Sequence, residues 1–482
     1  MARRWKVLLV TSSAVFMALL DVTIVNIAFP DMRRSFPQDS LSTMSWIINA
    51  YNVIFAAALV PAGRLADRIG RRRMFLAGLL IFLAASLACG LAINVEFLIG
   101  ARIVQALGAA LVVPTSLSLV LPEFPPERRA TATALWTATG AIAAATGPSL
   151  GGVLVHWQGW RLIFLVNLLI GLAALVPSLR LLRESRETGV TRWPDAVGAI
   201  LLAGAVGLLA LALVNGADWG WRSFGVVGSL IAAAILSVLF LARSARHPVP
   251  VVDPELFRIR SFAVANVGSL VFGAGFYALL LTNVLFLTSA WQYDIFLAGV
   301  ALTVGPMMAA VAAVVSGRLA DKYGQRAITV PGGLVFAAGA LILGLTTTGE
   351  PRYFTIFLPA TLLTGMGAGL CLPSFGSAAV AELPRNRYAT GVAVASCFRQ
   401  IGAVVGVAGL VAVLGATGRA DTVVGFQRAY LLVALAGVLT TIVASALGRV
   451  RARDVADLPG RPVLASSSPD RTPAALGEHP AD

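Results

Sequence analysis

Long apolar stretches alternate with short polar segments along most of the 482-residue chain. Each stretch has about 17–25 residues, the length at which an α-helix crosses the hydrocarbon core of a bilayer. The pattern predicts an all-α polytopic membrane protein with fourteen transmembrane helices. These spans are predicted near residues 7–29, 41–62, 74–94, 97–121, 130–155, 161–182, 196–216, 223–242, 262–288, 296–316, 328–346, 354–380, 389–415 and 428–448.

Composition agrees with this pattern and excludes several classes of protein. Only 12% of the residues are charged and 58% are hydrophobic, whereas about 25% of the residues of a soluble domain are charged. The chain therefore has too little charge to cover the surface of a soluble enzyme of this length. Cys89, Cys371 and Cys397 lie in apolar stretches without metal-ligand spacing, so no metal site, cofactor or disulfide framework is expected.

The placement of basic residues predicts the orientation of the chain. The net charge is +14, but the arginines are spread in small groups between apolar stretches, so nucleic acid is not an expected partner. When successive loops are assigned alternately to the two sides, one side holds 28 basic residues and the other seven. Because cytoplasmic loops are enriched in Lys and Arg, both termini are expected in the cytoplasm, with the spans in the plasma membrane.

One loop sequence occurs twice. The segment GRLADRIGRR at 63–72 recurs as GRLADKYGQR at 317–326, and both copies fall on the predicted cytoplasmic side. This predicts two parallel repeats of six helices, separated by an inserted helix pair. The predicted organisation is a first half at 1–182, loops and the inserted pair at 183–260, a second half at 261–448, and a disordered cytoplasmic tail at 449–482.

Two parallel six-helix repeats that carry this loop resemble the major facilitator superfamily. The string LDVTIVNIAFP at 20–30, together with the fourteen-span layout, is similar to the 14-helix drug:proton antiporter branch of that superfamily (EmrB/QacA-type). The resemblance implies a transporter rather than an enzyme, which works by alternating access and uses the proton gradient as its energy source.

The repeated loop is implied by the resemblance to hold the two halves together on the cytoplasmic side. Gly63 is expected to permit a close approach of two helices, and Asp67 to face a helix N-terminus and an arginine. The alternative is that these loops only set the orientation of the chain. The predicted gate residues are Gly63, Arg64, Asp67, Arg68, Gly70, Arg71, Gly317, Arg318, Asp321, Gly324 and Arg326.

The fifth span is rich in glycine and contains a proline. Glycine permits close backbone contact between helices, and proline can bend a helix. The set resembles the antiporter motif of exporters in the superfamily, although packing alone would also explain it. The residues concerned are Gly140, Gly147, Pro148, Gly151 and Gly152.

Asp21 is the one carboxylate predicted deep within a span. Because an acid inside a membrane is energetically expensive, it is a candidate functional group by default. Asp21 and Arg102, which lies in the fourth span, are predicted to couple transport to protons. The alternative is a permanent structural ion pair.

The resemblance also indicates residues for a substrate cavity: Asn26, Gln105, Arg399 and Gln400. Arg399 is expected either to contact an anionic group of the substrate or to link helices structurally. The expected function is proton-driven export of a small amphipathic or cationic molecule by a monomer in the lipid bilayer. Transport of an endogenous lipid or metabolite, or self-resistance export of a biosynthetic product, is the alternative.

Overall fold

A computed structural model describes residues 2–125, 128–186, 193–383, 388–415 and 423–448, and some side chains within α5, α10 and α13 are not described. The predicted tail at 449–482 lies outside the described residues. The described residues form fourteen long helices: α1 Arg3–Ser35, α2 Leu41–Ile69, α3 Arg71–Gly90, α4 Val95–Val120, α5 Arg129–Gln158, α6 Leu162–Leu181, α7 Ala196–Trp219, α8 Phe224–Ser244, α9 Arg260–Leu285, α10 Ile295–Tyr323, α11 Arg326–Thr346, α12 Leu358–Ala378, α13 Tyr388–Gly415 and α14 Val423–Ser445.

The all-α fold with membrane-spanning helices is confirmed. Among the described residues, thirteen of these helices are long and apolar enough to cross a membrane, with α5 as the fourteenth long helix. Several helices are longer than the apolar stretches that predicted them, because hydrogen bonding continues beyond the apolar core into polar ends. α1, for example, extends through Arg33 and Arg34 to Ser35, past the predicted end of the span at residue 29.

Polar caps and glycines fix where the helices begin and end. The side chains of Ser40, Asn94 and Asp294 accept hydrogen bonds from the backbone of the first turns of α2, α4 and α10. Such caps satisfy donors that the helix itself leaves free. Gly70 and Gly324 end α2 and α10 with φ angles of +132° and +85°. These values favour glycine over other residues, and they explain one glycine in each copy of the repeated loop.

Helix contacts reproduce the internal repeat. α1 packs against α4, α5 and α6, while α3 packs against α4 and α6. The same contacts recur eight helices later, where α9 packs against α12, α13 and α14, and α11 packs against α12 and α14. The two six-helix halves are therefore built alike, and the shift of eight helices reflects six helices of the repeat plus the inserted pair.

The two halves meet along two seams, α2 against α13 and α5 against α10. The inserted α7 packs on both α2 and α13 and so covers the first seam, while α8 packs on α7. Polar bonds hold the inserted pair in place. Ser42 donates to Asp218 at 2.8 Å, and Arg243 donates to Asp195 at 2.6 Å.

Candidate functional site

Asp21 lies in the interior of the first half and contacts two other helices, α4 and α6. Its side chain is fully buried, and it forms an ion pair with Arg102 of α4. The other carboxylate oxygen, Oδ1, accepts hydrogen bonds from Gln105 Nε2 and from Asn167 Nδ2, each at 3.0 Å. Ser86 Oγ of α3 accepts a hydrogen bond from Gln105 Nε2 at 2.8 Å. These five residues are called the carboxylate site.

Arg102 is held on several sides in addition to its ion pair. It donates to the Ile47 carbonyl at 3.1 Å and to Gln105 Oε1 at 2.6 Å. The guanidinium carbon lies 4.1 Å from the centre of the Tyr51 ring, which is a cation–π contact. Arg102 is only 1% exposed. The carboxylate site thus buries one negative and one positive charge that compensate each other, as buried charges require.

A second polar group joins the two halves of the bundle. Gln400 of α13 donates to Asn52 Oδ1 of α2 at 3.3 Å, across the seam between the halves. Tyr277 of α9 donates its hydroxyl to Gln400 Oε1 at 3.1 Å. Arg399 neighbours this chain of bonds, where it contacts Ser396 Oγ at 3.5 Å and interacts electrostatically with Tyr277. Asn52, Tyr277, Arg399 and Gln400 are called the arginine site.

The structure distributes the predicted cavity residues unequally. Gln105 belongs to the carboxylate site, whereas Arg399 and Gln400 belong to the arginine site. Asn26 is buried and donates to the Val22 carbonyl of its own helix at 3.0 Å. Within the described part of the chain, no three His, Cys, Asp or Glu side chains lie together as ligands for a metal would.

The repeated loop forms contacts at the end of the bundle that carries the α2–α3 and α10–α11 turns, called here the basic end. Asp67 accepts two hydrogen bonds from Arg71, at 3.0 and 3.1 Å. Arg64 reaches across the seam to the Thr390 hydroxyl at 3.3 Å, and Arg68 stacks on Trp193 at 4.1 Å. The side chains of Arg318 and Asp321 lie outside the described residues, while Arg326 borders a cavity beside Gly324.

The close approach expected at Gly63 is absent. A Cβ placed there would lie 3.5 Å from Pro114 Cβ, which is ordinary van der Waals contact, and one placed at Gly317 would meet nothing within 4 Å. The crowded glycine of the first loop is instead Gly70, where a Cβ would lie 2.6 Å from the Glu184 carboxylate. Glu184 accepts hydrogen bonds from the backbone of Arg72 and Arg73 at 3.0 and 3.2 Å. It therefore caps the start of α3.

The glycines of α5 are used for close packing. A Cβ at Gly147 or Gly151 would fall within 2.3 Å of side chains on α1, and one at Gly140 would lie 2.9 Å from Leu19. On the opposite face, a Cβ at Gly152 would lie 3.0 Å from the Ile295 carbonyl of α10. The Pro148 carbonyl approaches Gly299 of α10. Three of these glycines therefore pack α5 on α1 within the first half, while Pro148 and Gly152 join α5 to α10 of the second half, at the end of the bundle opposite the basic end.

The repeat, the paired seams and the buried ion pair point to one family, and comparison with known families decides it. The Major Facilitator Superfamily model matches residues 11–196, 196–407 and 265–471. The chain belongs to the major facilitator superfamily. It is accordingly a multi-pass membrane transporter.

Curated members of the superfamily resemble the chain over most of its length. It is 35% identical to the methylenomycin A resistance protein of Bacillus subtilis, over 89% of this chain and 92% of the relative. It is 36% identical to the multidrug resistance protein Stp of Mycobacterium tuberculosis, over 85% and 75%. It is 34% identical to the probable actinorhodin transporter of Streptomyces coelicolor, over 91% and 78%.

Solved structures share the fold at low sequence identity. A bacterial homologue of the human lysosomal transporter Spinster, in an inward-facing and unoccupied conformation, has a TM-score of 0.64 and 16% identity, covering 96% of this chain and all of that one. A peptide transporter in complex with sulfate has a TM-score of 0.66 and 18% identity, covering 92% of this chain and 95% of that one. These likenesses support the superfamily fold.

Sequence reasoning missed several residues that complete both sites. Asn167 and Ser86 bind around Asp21, Tyr51 stacks on Arg102, and Asn52 and Tyr277 belong to the arginine site. The available signal was a polar side chain within an otherwise apolar span. Glu184, which caps α3 from a distant loop, gave no such signal.

Proposed function

We propose that the chain is a proton-driven exporter of amphipathic small molecules, which works by alternating access with both termini in the cytoplasm. The observation that supports proton coupling is the complete burial of Asp21 among donors from α4 and α6. A carboxylate at this position changes the charge of the bundle interior when it takes up a proton. Such a change can bias the halves between two arrangements.

The bonds around Asp21 suggest how that bias arises. Protonation at Oδ2 removes the ionic partner of Arg102, while Oδ1 still accepts from Gln105 and Asn167. Arg102 remains attached to the Ile47 carbonyl, so its charge stays buried without a counter-charge. A buried unpaired charge is destabilising. Protonation would therefore favour an arrangement in which water reaches Arg102.

The driving force is adequate for export. A proton that moves down a membrane potential of about 100 mV releases about 2.3 kcal/mol. Since about 1.4 kcal/mol corresponds to a tenfold ratio, one proton supports a substrate gradient of roughly fiftyfold. A pH gradient adds to this value.

The test of coupling uses Asp21→Asn and the double variant Asp21→Asn/Arg102→Ala, in inverted vesicles with several imposed pH differences. Asp31→Asn is the matched control, since Asp31 lies near the end of the same helix and accepts from the Trp160 backbone at 3.0 Å. We expect the control to pump and both Asp21 variants to lose uphill export. A stable double variant that pumps as well as the parent protein would overturn the proton role of Asp21.

The proposed orientation is tested separately by cysteine accessibility. Residues 73 and 322, which are exposed at the turns of the two repeated loops, should react only from the cytoplasmic side, while the exposed residue 218 should react from outside. The expectation rests on the asymmetry of 28 basic residues against seven. Labelling of residue 218 from the cytoplasm would refute this topology.

A second candidate function is self-resistance by export of a biosynthetic product. It is favoured by relatives whose names describe resistance to, or transport of, single natural products, among them the tetracenomycin C resistance and export protein of Streptomyces glaucescens, 30% identical over 84% of this chain. A substrate panel in the same vesicles separates the candidates. Export of one natural product class alone would favour self-resistance, and export of many unrelated compounds would favour multidrug efflux.

A further inference from the structure

Three charged side chains lie deep within the spans of the described residues, and two of them compensate each other. Asp21 and Arg102 form the buried ion pair of the first half. Arg399 of α13 takes part in none of the ion pairs formed among the described residues. The second half therefore holds a positive charge within the membrane without a protein counter-charge in the described structure. Such a charge is energetically expensive and marks a functional site by default.

The position of Arg399 places this charge between the two halves. A Cβ at Gly273 of α9 would lie 2.6 Å from the Arg399 carbonyl, so α9 and α13 are tightly packed at this level. Gln400, the next residue, hydrogen-bonds to Asn52 of the first half. Tyr277, which interacts with Arg399, packs against an apolar cluster formed by residues of the first half. Arg399 itself is only partly buried.

The groups around Arg399 are suited to donating hydrogen bonds. The phenol of Tyr277 is beside it, and the Tyr51 hydroxyl lies within electrostatic range of Tyr277. Tyr51 is 1% exposed, and its hydroxyl has no hydrogen-bond partner among the described residues. A buried hydroxyl without a partner is destabilising. The Tyr277 hydroxyl already donates to Gln400 Oε1, so the guanidinium of Arg399 is the charged donor that stays available, and an oxyanion matches it.

We propose that the substrate carries an acidic group, a carboxylate or another organic oxyanion, which the guanidinium of Arg399 binds. This inference rests on the proposed exporter function and narrows its substrate class. A carboxylate is the strongest partner for a cationic substrate, but Asp21 is occupied by Arg102, Gln105 and Asn167. The arrangement therefore replaces the expectation of a cation by that of an amphipathic acid.

The charge of the substrate determines how strongly the membrane potential drives its export. Exchange of one monovalent anion outward for one proton inward moves two elementary charges across the potential. A monovalent cation exchanged for one proton moves none. A membrane potential alone, without a pH gradient, should therefore drive export of the acid. For each 100 mV it should raise the limiting gradient of the acid by about fiftyfold per charge moved.

Binding is tested in detergent with two xanthene dyes of opposite charge, fluorescein as the acid and rhodamine 123 as the cation, using fluorescence polarisation. Binding needs no gradient, so this assay is independent of proton coupling. The variants are Arg399→Gln and Arg399→Lys. The control is Arg428→Gln, which removes an exposed arginine from α14 of the same half. Thermal unfolding confirms that each variant is folded.

We expect the parent protein and the Arg428 control to bind fluorescein at least about tenfold more tightly than rhodamine 123. Arg399→Gln should lose that preference, and Arg399→Lys should keep part of it, because a point charge replaces a bidentate donor. A parent protein that prefers the cation, that binds neither dye, or whose preference survives Arg399→Gln would overturn the inference. If Asp21→Asn binds fluorescein normally and still pumps, the coupling proposal fails while this inference stands.

Discussion

The two halves share one set of helix contacts but treat buried charge in opposite ways. The first half buries Asp21 and Arg102 as a pair, surrounded by three further donors and acceptors. The second half places Arg399 near a phenol and a hydroxyl, without a carboxylate partner among the described residues. A compensated pair changes its charge only when a proton arrives, whereas an uncompensated cation attracts an anion from outside. The two proposals above thus assign a proton-responsive site to the first half and an anion-binding site to the second half of the same fold.

The turns at the basic end also differ between the halves, because a carboxylate fills the first turn and a cavity lies beside the second. In the first half, Glu184 fills the space beside Gly70 and caps the start of α3. In the second half, the space beside Gly324 is a cavity of about 410 Å³, which Arg326 and Ser445 border. In the first half, a carboxylate of the protein thus occupies both places: Asp21 pairs with Arg102 in the bundle interior, and Glu184 fills the space beside Gly70 at the turn.

The largest effect is expected when the compensated pair is broken. Asp21→Asn leaves the Arg102 charge buried and should destabilise the protein by about 3–5 kcal/mol. Arg399→Gln removes a charge that has no counter-charge among the described residues, so it should leave the unfolding temperature unchanged or raise it. Thermal unfolding in detergent measures both. Equal losses of stability would show that Arg399 is compensated and would remove the contrast between the halves.

A smaller effect is expected at the two turns. Gly70→Ala combines a positive φ angle with a Cβ 2.6 Å from the Glu184 carboxylate. It should reduce stability by roughly 1–3 kcal/mol. Gly324→Ala changes a residue that borders a cavity, places Ala at a φ angle of +85°, and should cost about 1 kcal/mol.

Two further variants separate the effect of the Glu184 contact from the general effect of replacing a glycine. Gly63→Ala is the control, since its Cβ would make ordinary contact with Pro114. Adding Glu184→Ala to Gly70→Ala should remove the clash, although the cap of α3 is lost with it. The turns do not differ as described if Gly70→Ala and Gly324→Ala reduce the unfolding temperature equally.

The helices and the ion pair were predictable because strong local constraints produce them. A lipid environment demands about twenty apolar residues per span, so hydropathy located all fourteen helices. A lone acid and a lone arginine within apolar spans have few possible partners, so an ion pair between Asp21 and Arg102 was one of the two interpretations of these residues, and the structure contains that pair.

The remaining contacts depend on how each helix is rotated. Spans that are apolar on every face carry little periodicity to report that rotation, so Asn167, Ser86 and Tyr51 could not be assigned to the carboxylate site. Glu184 reaches α3 from more than a hundred residues along the chain. The packing around Gly63, where a Cβ would make only ordinary contact with Pro114, was hidden for the same reason, since helix proximity depends on tertiary packing that sequence spacing does not report.

The smallest effect concerns the hydrogen bond between Gln400 and Asn52, one of the polar contacts between the two halves. Gln400 donates to Asn52 at 3.3 Å without any charge involved, and a neutral hydrogen bond contributes about 0.5–1.5 kcal/mol. If the halves rock against each other, this bond stabilises only arrangements in which α2 and α13 are close. Asn52→Ala and Gln400→Ala should each shift the population away from this arrangement, by roughly two- to tenfold. Because both remove the same bond, the double variant should resemble either single variant.

Spin labels at the exposed positions Arg73 and Glu382, on the basic end of each half, report the population through their distance distribution. Additive shifts would show that Asn52 and Gln400 act independently, and this hydrogen bond would then not be what holds α2 against α13.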